Sequence, residues 1–336
     1  MAITKTTAYA GGVLETFITL AVTGNDTVDN GIINIKSGIQ HEYTLPRLGL
    51  VDVIQDRVAT PTFGTGSKGD FVISERKLAP LDFMVYSEFN PRDLEDFWEF
   101  AQPTNNLVFR TLDPQVQVAM VTEIMKEVNR YMGVAIWHGL KTVSGTLGTN
   151  PAGNIALGSG SYDKFDGLMS RILEDELAAV AGDIPIRTGS ALLTTGALVL
   201  TALLDIFAGI PKAIRGSSDL KILCDWDTFD LYDQYLIELG NKNADQTGGN
   251  ATRFRGVTMV PMNGFPANTI VATRCSASRG ANMWMGVDYV NDDNVITMDK
   301  LQNNSEEYFF KMLMKADTKV VNPSELVFHT AYPALT

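Results

Sequence analysis

At 336 residues with 45% hydrophobic side chains, the chain is long enough to bury a large core, in one large or two medium domains. The formal net charge of -12 argues against a nucleic-acid reader, because duplex binding depends on Lys and Arg neutralising phosphates and releasing counterions; an acidic surface can still enclose DNA without gripping it. Two cysteines, Cys224 and Cys275, give no disulfide framework and no metal-ligand spacing, no run nears the about eighteen apolar residues of a membrane span, and the patch Phe17 to Val22 is too short for a signal peptide. The cysteines are expected to be small buried hydrophobes in reducing cytosol, and the protein to stay where it is made.

Residues 1–48 mix Thr, Gly, Asn and isolated apolar side chains, with breakers at Asn25-Asp26, Asn30-Gly31 and Ser37-Gly38. Such a stretch cannot build its own core and is expected to be an arm, either disordered or ordered by neighbours. Leu50 to Val58 reads as an alternating strand, Gly64 to Asp70 as a glycine tip, and Phe71-Val72-Ile73 through Phe83-Met84-Val85-Tyr86 as a second extended run. Together they predict a long hairpin, which needs something to lie against.

Asn90-Pro91 opens a short helix through Phe97 and Trp98, and Asp113-Pro114 opens a much longer one. Val121, Ile124, Met125, Val128, Tyr131, Met132, Ala135 and Ile136 recur at three and four, which predicts one buried face on a rod from Pro114 to Lys141, about 40 Å long. Gly145 to Gly160 reads as a polar loop, and Phe165 to Val180 as an amphipathic helix with Leu168, Ile172, Leu173 and Leu177 inward. A helix from Thr194 to Ala208, the strand Leu220 to Cys224 and the aromatic helix Trp226 to Leu239 follow. Three further strands are expected at Val257 to Pro261, Thr269 to Ala272 and Asn282 to Met285.

The last fifty residues carry the clearest pattern. Phe309, Lys311, Leu313 and Lys315 alternate against Phe310, Met312, Met314 and Ala316, the period of a pleated strand; Asn322-Pro323 then interrupts it, and a final strand follows through Leu326-Val327-Phe328. The order of these parts resembles tailed-phage major capsid proteins of the Hong Kong 97 fold. In that family a late strand places Arg or Lys before Ala or Asp, as in Lys315-Ala316-Asp317, and an Asn-Pro or similar turn precedes the final strand.

The resemblance implies an α+β capsid fold, divided as an N-terminal arm (1–48), an E-loop hairpin (49–90), the first part of a P-domain (91–190) with its spine helix at 114–141, an A-domain (191–285) and the C-terminal P-domain strands (286–336). The chain reaches its hairpin by residue 50, so it is similar to lineages with a separate scaffold or none. Some relatives form lysine–asparagine crosslinks, for which Lys68 or Lys77 with Asn322 would be the candidates; a turn is the expected role of Asn322-Pro323.

Other chemistry has plainer readings. Gly64-Thr65-Gly66-Ser67-Lys68-Gly69 lacks the Gly-Lys-Ser/Thr of a phosphate loop and precedes a strand, so it reads as a hairpin tip. Asp225, Asp227, Asp230 and Asp233 could ligate a hard cation but fit better as cap and first-turn acids of the Trp226 helix. His41, His138 and His329 are scattered, without a nucleophile motif nearby.

The expected function is therefore structural rather than enzymatic, with no catalytic residue, cofactor or metal. The chain is expected to assemble with itself into hexamers and pentamers of an icosahedral shell, the virion capsid, built in the host cytoplasm around double-stranded DNA that is not read by sequence. Portal and scaffolding or decoration proteins are implied as further partners, and no membrane. Assembly contacts are placed at the hairpin tip, on Phe63, Gly64, Gly66, Lys68 and Gly69. Ile32, Ile33, Ile35, Val51, Val53, Phe71 and Ile73 are expected to bury on neighbouring subunits. An encapsulin-type compartment is the first alternative and a soluble α+β enzyme the second.

Overall fold

The computed structural model describes residues 7–9, 25–50, 54, 56, 57, 59, 60, 71–90, 114–143, 154–160, 162–180, 183–239, 253–288, 296–302 and 307–336. In chain order the first elements are β1 (Thr7–Tyr9), α1 (Asp26–Asp29), β2 (Asn34–Lys36), β3 (Tyr43–Leu50), β4 (Phe71–Leu78), β5 (Leu81–Phe89), α2 (Pro114–His138) and α3 (Leu168–Ala178). Next come β6 (Ile186–Gly189), α4 (Gly196–Gly209), β7 (Leu220–Asp225), α5 (Trp226–Glu238), β8 (Arg253–Phe254), β9 (Val257–Met262) and β10 (Thr269–Arg274). The chain closes with β11 (Met283–Asp288), β12 (Ile296–Lys300), β13 (Tyr308–Val320), a 3-10 turn at Pro323–Glu325 and β14 (Val327–Thr330).

The alternation in the late sequence builds the first sheet. β13 is its spine, flanked on one edge by β5 and on the other by β11 and β12 in succession; β1 lies outside β12 and β2 outside β11. Phe310, Met312, Met314 and Ala316 are all buried, as the period demands, and face the apolar stripe of α2. That stripe is the expected one: Val121, Met125, Val128, Met132, Ala135 and Ile136 are buried, with Ile124 and Tyr131 at its margins. Trp137, absent from the expected stripe, is fully buried as well and meets Phe265 edge-on at 4.5 Å.

With 25 residues, α2 is about 37 Å long. It ends at His138, three residues short of the expected Lys141, because at Gly139 the chain turns against the start of α3. A Cβ on Gly139 would lie 2.4 Å from the Phe165 carbonyl oxygen and 2.9 Å from the Gly167 nitrogen, so only glycine permits this approach. The Gly167 N–H donates to the Gly139 carbonyl at 2.9 Å. In α3, Leu168, Met169, Ile172 and Leu173 point inward, but Leu177, expected inward, is exposed because the last turn runs past the buried face.

His138, on the last turn of α2, is buried and bonded through Nδ1 to the Val134 carbonyl at 3.2 Å. Burial lowers its pKa from 6.5 to about 4, against the weaker opposing effect of that carbonyl. A depressed histidine pKa means that the unfolded chain takes up the proton first, so stability is lost as pH falls from 6.5 towards 4. Between pH 7 and pH 5 this group alone should cost about 2 kcal/mol, and His138→Gln should remove that part of the acid sensitivity in urea titrations at the two pH values.

The second sheet runs β6-β14-β10-β7-β9-β8, with β6 parallel to β14, β7 parallel to β9 and the other pairs antiparallel. It has no wet face in its centre. Ile222, Cys224, Ile270, Ala272 and Val327 lie in a core with α4 and α5, while the alternating Leu223, Val271 and Phe328 lie in the core of α2 and the first sheet. This explains the near-continuous apolar runs of β7, β10 and β14, as expected for strands covered on both sides. Asn282 joins the two sheets: its side-chain amide donates to Thr273 Oγ1 at 2.8 Å and to the Asn322 carbonyl at 2.9 Å, and its Oδ1 accepts the Asn322 N–H at 2.6 Å. The Asn322-Pro323 turn is thus held by this joint.

Two expectations are corrected. Residues 25–48 do not wait for neighbours: Ile32 and Ile33 are buried in the subunit's own core, Ile35 packs against it, and β2 pairs in parallel with β11. Thr27 accepts the Trp137 indole N–H at 3.0 Å. A segment with so few inward side chains shows no period, yet it can complete a core supplied by the rest of the chain. The hairpin also differs: its first strand starts at Tyr43, because Pro46 is tolerated in a strand at a sheet edge, and its second ends at Leu78. After Ala79-Pro80 the chain begins a separate strand, β5, which pairs with β13. Val51, Val53, the Phe71 side chain and the expected helix from Asn90 to Trp98 beyond its first residue lie outside the described residues.

Candidate assembly site at the β3–β4 ribbon

The ribbon has two faces set by its register. Tyr43 stands opposite Leu78, Leu45 opposite Arg76 and Arg47 opposite Ser74; these share one face. Thr44 opposite Lys77, Pro46 opposite Glu75 and Leu48 opposite Ile73 share the other.

The first face ties the ribbon's root to the body. Leu45 and Leu78 are buried with Ile39 and Trp284, and the Tyr43 ring stacks on Trp284 at 6.5 Å. Gly286 in β11 makes room, since a Cβ there would lie 2.9 Å from Ile39 Cδ1. Next to this small core Arg76 donates to both Asp175 carboxylate oxygens at 2.9 and 2.8 Å, to Asp183 Oδ2 at 2.9 Å and to the Val320 carbonyl at 3.1 Å. Arg47 binds the other Asp183 oxygen at 2.7 Å. At the corner, the Ala79 N–H donates to Asp317 at 3.0 Å, and Arg171 holds that carboxylate at 3.0 Å, Asp166 at 3.2 Å and Glu174 at 2.9 Å.

Burial raises the pKa of Asp175 and of Asp317 despite their arginine partners, and it lowers that of Lys319, which lies beside Arg171. Asp166 goes the other way. Burial pushes its pKa up, but the Arg171 charge, the Thr142 hydroxyl and the backbone N–H groups of Lys141 and Thr142 outweigh it. The network fixes the direction in which the ribbon leaves the subunit, since it ties Arg47, Arg76 and the Ala79 N–H to carboxylates of the body.

The second face is left open. Leu48 is 68% exposed and Ile73, directly across from it, 74% exposed. An exposed aliphatic pair on a two-stranded ribbon is a surface that lacks its partner, because isolated ribbons are marginal in water. The sequence placed contacts further out, on Phe63, Gly64, Gly66, Lys68 and Gly69; these lie outside the described residues, as does Lys68 of the crosslink candidates. Ile73 is among the residues expected to bury on neighbouring subunits; Leu48, its partner across the ribbon, is not, because residues 43–48 read as part of the arm, and the spacing of Leu48 and Leu50 ahead of the expected strand is the available signal.

The remaining candidates settle into structural roles. Asp225 caps α5 and accepts the Thr228 N–H at 3.4 Å. His329 bonds the Ala191 carbonyl at 2.9 Å. Both cysteines are buried; desolvation pushes the Cys275 thiol up to about 12 and the Cys224 thiol well above its usual range. Among the described residues no group of three His, Cys, Asp or Glu side chains is placed to hold a metal ion, and no helix is long and apolar enough to cross a membrane.

No protein-family model matches the chain, nor does any curated protein sequence. Solved structures do. A chain of the satellite phage P4 procapsid that includes the size determination protein is 15% identical, with a TM-score of 0.55, over 95% of this chain and 99% of that one. The capsid of the native GTA particle is 13% identical, with a TM-score of 0.53, over 98% and 95% of the two chains. The capsid of Myoviridae phage XM1 is 12% identical, also with a TM-score of 0.53, over 98% and 94%. At these identities the likeness is one of fold, and it covers 95% or more of this chain in all three. The chain has the α+β fold of phage capsid proteins, the Hong Kong 97 type.

Proposed function

We propose that this chain is the major capsid protein of a tailed phage, a structural protein whose copies form hexamers and pentamers of an icosahedral shell around double-stranded DNA. The observation that carries the reading is the ribbon: rigidly anchored at its root, apolar and uncovered at Leu48 and Ile73, on a fold shared with capsid chains. In this reading residues 1–48 are the arm, 49–90 the E-loop, 91–190 and 286–336 the P-domain with α2 as spine, and 191–285 the A-domain. The tip residues Phe63, Gly64, Gly66, Lys68 and Gly69 extend the same intersubunit contact outward. Portal and scaffolding or decoration proteins complete the particle, which forms in the host cytoplasm and becomes the virion capsid. The acidic chain encloses DNA without sequence-specific contacts.

Many weak contacts repeated over a closed shell give high stability through multivalency. The expressed protein should sediment as capsomers, shells or tubes and show them in negative-stain micrographs. A stable monomer across micromolar concentrations removes the reading. Shells that package a protein cargo in place of DNA point instead to a compartment.

A further inference from the structure

On a chain of net charge -12, the rim formed by the end of α4 and the β8–β9 turn is basic. We propose that Arg215 and Arg255, stacked on the Phe207 ring with Lys212 beside them, bind the phosphodiester backbone of a nucleic acid without reading its bases. This rests on the reading above that the chain encloses DNA, and it names a point of contact on the subunit.

Three observations carry it. First, both guanidinium groups are positioned by aromatic packing: Arg215 and Arg255 Cζ lie 5.4 and 5.3 Å from the Phe207 ring centre, and Arg255 Cζ lies 5.9 Å from that of Phe254. A guanidinium stacked on a ring keeps its N–H edge free, and its planar fork matches two phosphate oxygens. Arg215 donates Nε–H to the Ile210 carbonyl at 2.9 Å and Nη2–H to the Ala208 carbonyl at 2.8 Å, which fixes it at the end of α4 and leaves Nη1 open. The exposed Arg255 side chain donates to no group among the described residues.

Second, the charges are not neutralised within the subunit. Arg47, Arg76, Arg171, Arg187 and Arg274 each hold a carboxylate, whereas among the described residues none pairs with Lys212, Arg215 or Arg255. Asp205, the one acid of α4, stands two residues before Phe207 and so points to the other side of the helix. A turn closed by the Ile214 N–H on the Pro211 carbonyl keeps the exposed Lys212 near Arg215.

Third, the turn breaks its own local rule. Arg255 has φ 48° and Gly256 φ 87°, the two-residue hairpin turn whose first position favours Asn or Gly. An arginine kept in the left-handed region points to a role that the turn itself does not need. Phe207 is packed against the core of α4 and α5 and covered by the two guanidinium groups, so a base has no ring to stack on. Three positive charges from two segments suit the repeated phosphates of a strand better than a single small anion.

The test uses the full chain, held below its assembly concentration, and fluorescent DNA duplexes of two unrelated sequences, which should bind alike. Binding read by anisotropy should weaken with salt along a log–log slope of about -2 to -3, about 0.9 for each phosphate met. Arg255→Asn should reduce that slope by about 0.9 and weaken binding about tenfold at about 50 mM salt. It should nevertheless melt at or above the wild type, because the turn gains a residue it favours. Lys126→Ala, the same change of charge on the exposed side of α2, should leave binding unchanged. The site is overturned if Arg255→Asn keeps the wild-type slope, if Lys126→Ala matches its loss, or if Arg255→Asn melts well below the wild type and so marks a packing residue. Displacement of the duplex by inorganic phosphate beyond the effect of its ionic strength would make this a small-anion site and overturn the nucleic-acid assignment. Assembly is read separately in micrographs: Arg255→Asn should still form shells, and a wild type that binds duplex but never assembles removes the capsid reading and leaves the site.

Discussion

Replacing Arg171 by Met should lower the unfolding free energy of the subunit by about 3–5 kcal/mol, read from urea denaturation at neutral pH. The side chain is nearly buried and is held by Asp166, Asp317 and Glu174, and the first two carboxylates are buried beside it. Removing the guanidinium leaves Asp317 with only the Ala79 N–H and the more distant Lys319 charge to offset its desolvation. Adding Asp317→Asn should recover part of the loss, because the second substitution deletes the stranded charge. A single variant within about 1 kcal/mol of wild type would show that the network is solvated and that the ribbon's corner is held by the apolar root alone.

Met125→Asp should be as damaging or worse. Met125 is fully buried between α2 and the first sheet, and a carboxylate there would have no partner and would lose the packing of a long side chain. A loss of several kcal/mol is expected, enough to remove soluble protein from a marginally stable fold. Lys126→Asp, one residue on, sits on the exposed side in a surface pair with Glu123 and should change stability by about 0.5 kcal/mol, through the loss of that pair and the new like charge. Equal yields of soluble protein from the two variants would mean that the helix face is misassigned.

How legible each part was depended on its period. The stripe of α2 and the alternation of β13 could be read directly because long elements repeat their geometry many times, and the capsid resemblance followed from their order. The arm could not be read: Ile32 and Ile33 are two inward residues in a stretch too short for any repeat, and the core they join is built from distant parts of the chain, with Trp137 bonded to Thr27 across 110 residues and β11 paired with β2. The candidate site was legible only in outline. A hairpin was visible, but Pro46 concealed the start of its first strand and the continuous extended run concealed the corner at Ala79-Pro80. The ionic root was invisible because Arg76, Asp175 and Asp317 are brought together only by the fold.

The second sheet is a wall shared by two rooms. Leu223 and Cys224 are neighbours in sequence, but one belongs to the core of α2 and the other to the core of α4 and α5. Neither room can lose its contents without stripping one side of the wall, and a strand bare on one face no longer supports the other. The subunit should accordingly melt in one calorimetric step, and a cavity cut at Phe328, which belongs to the core of α2, should loosen α4 through the strand that carries Val327 on its opposite side.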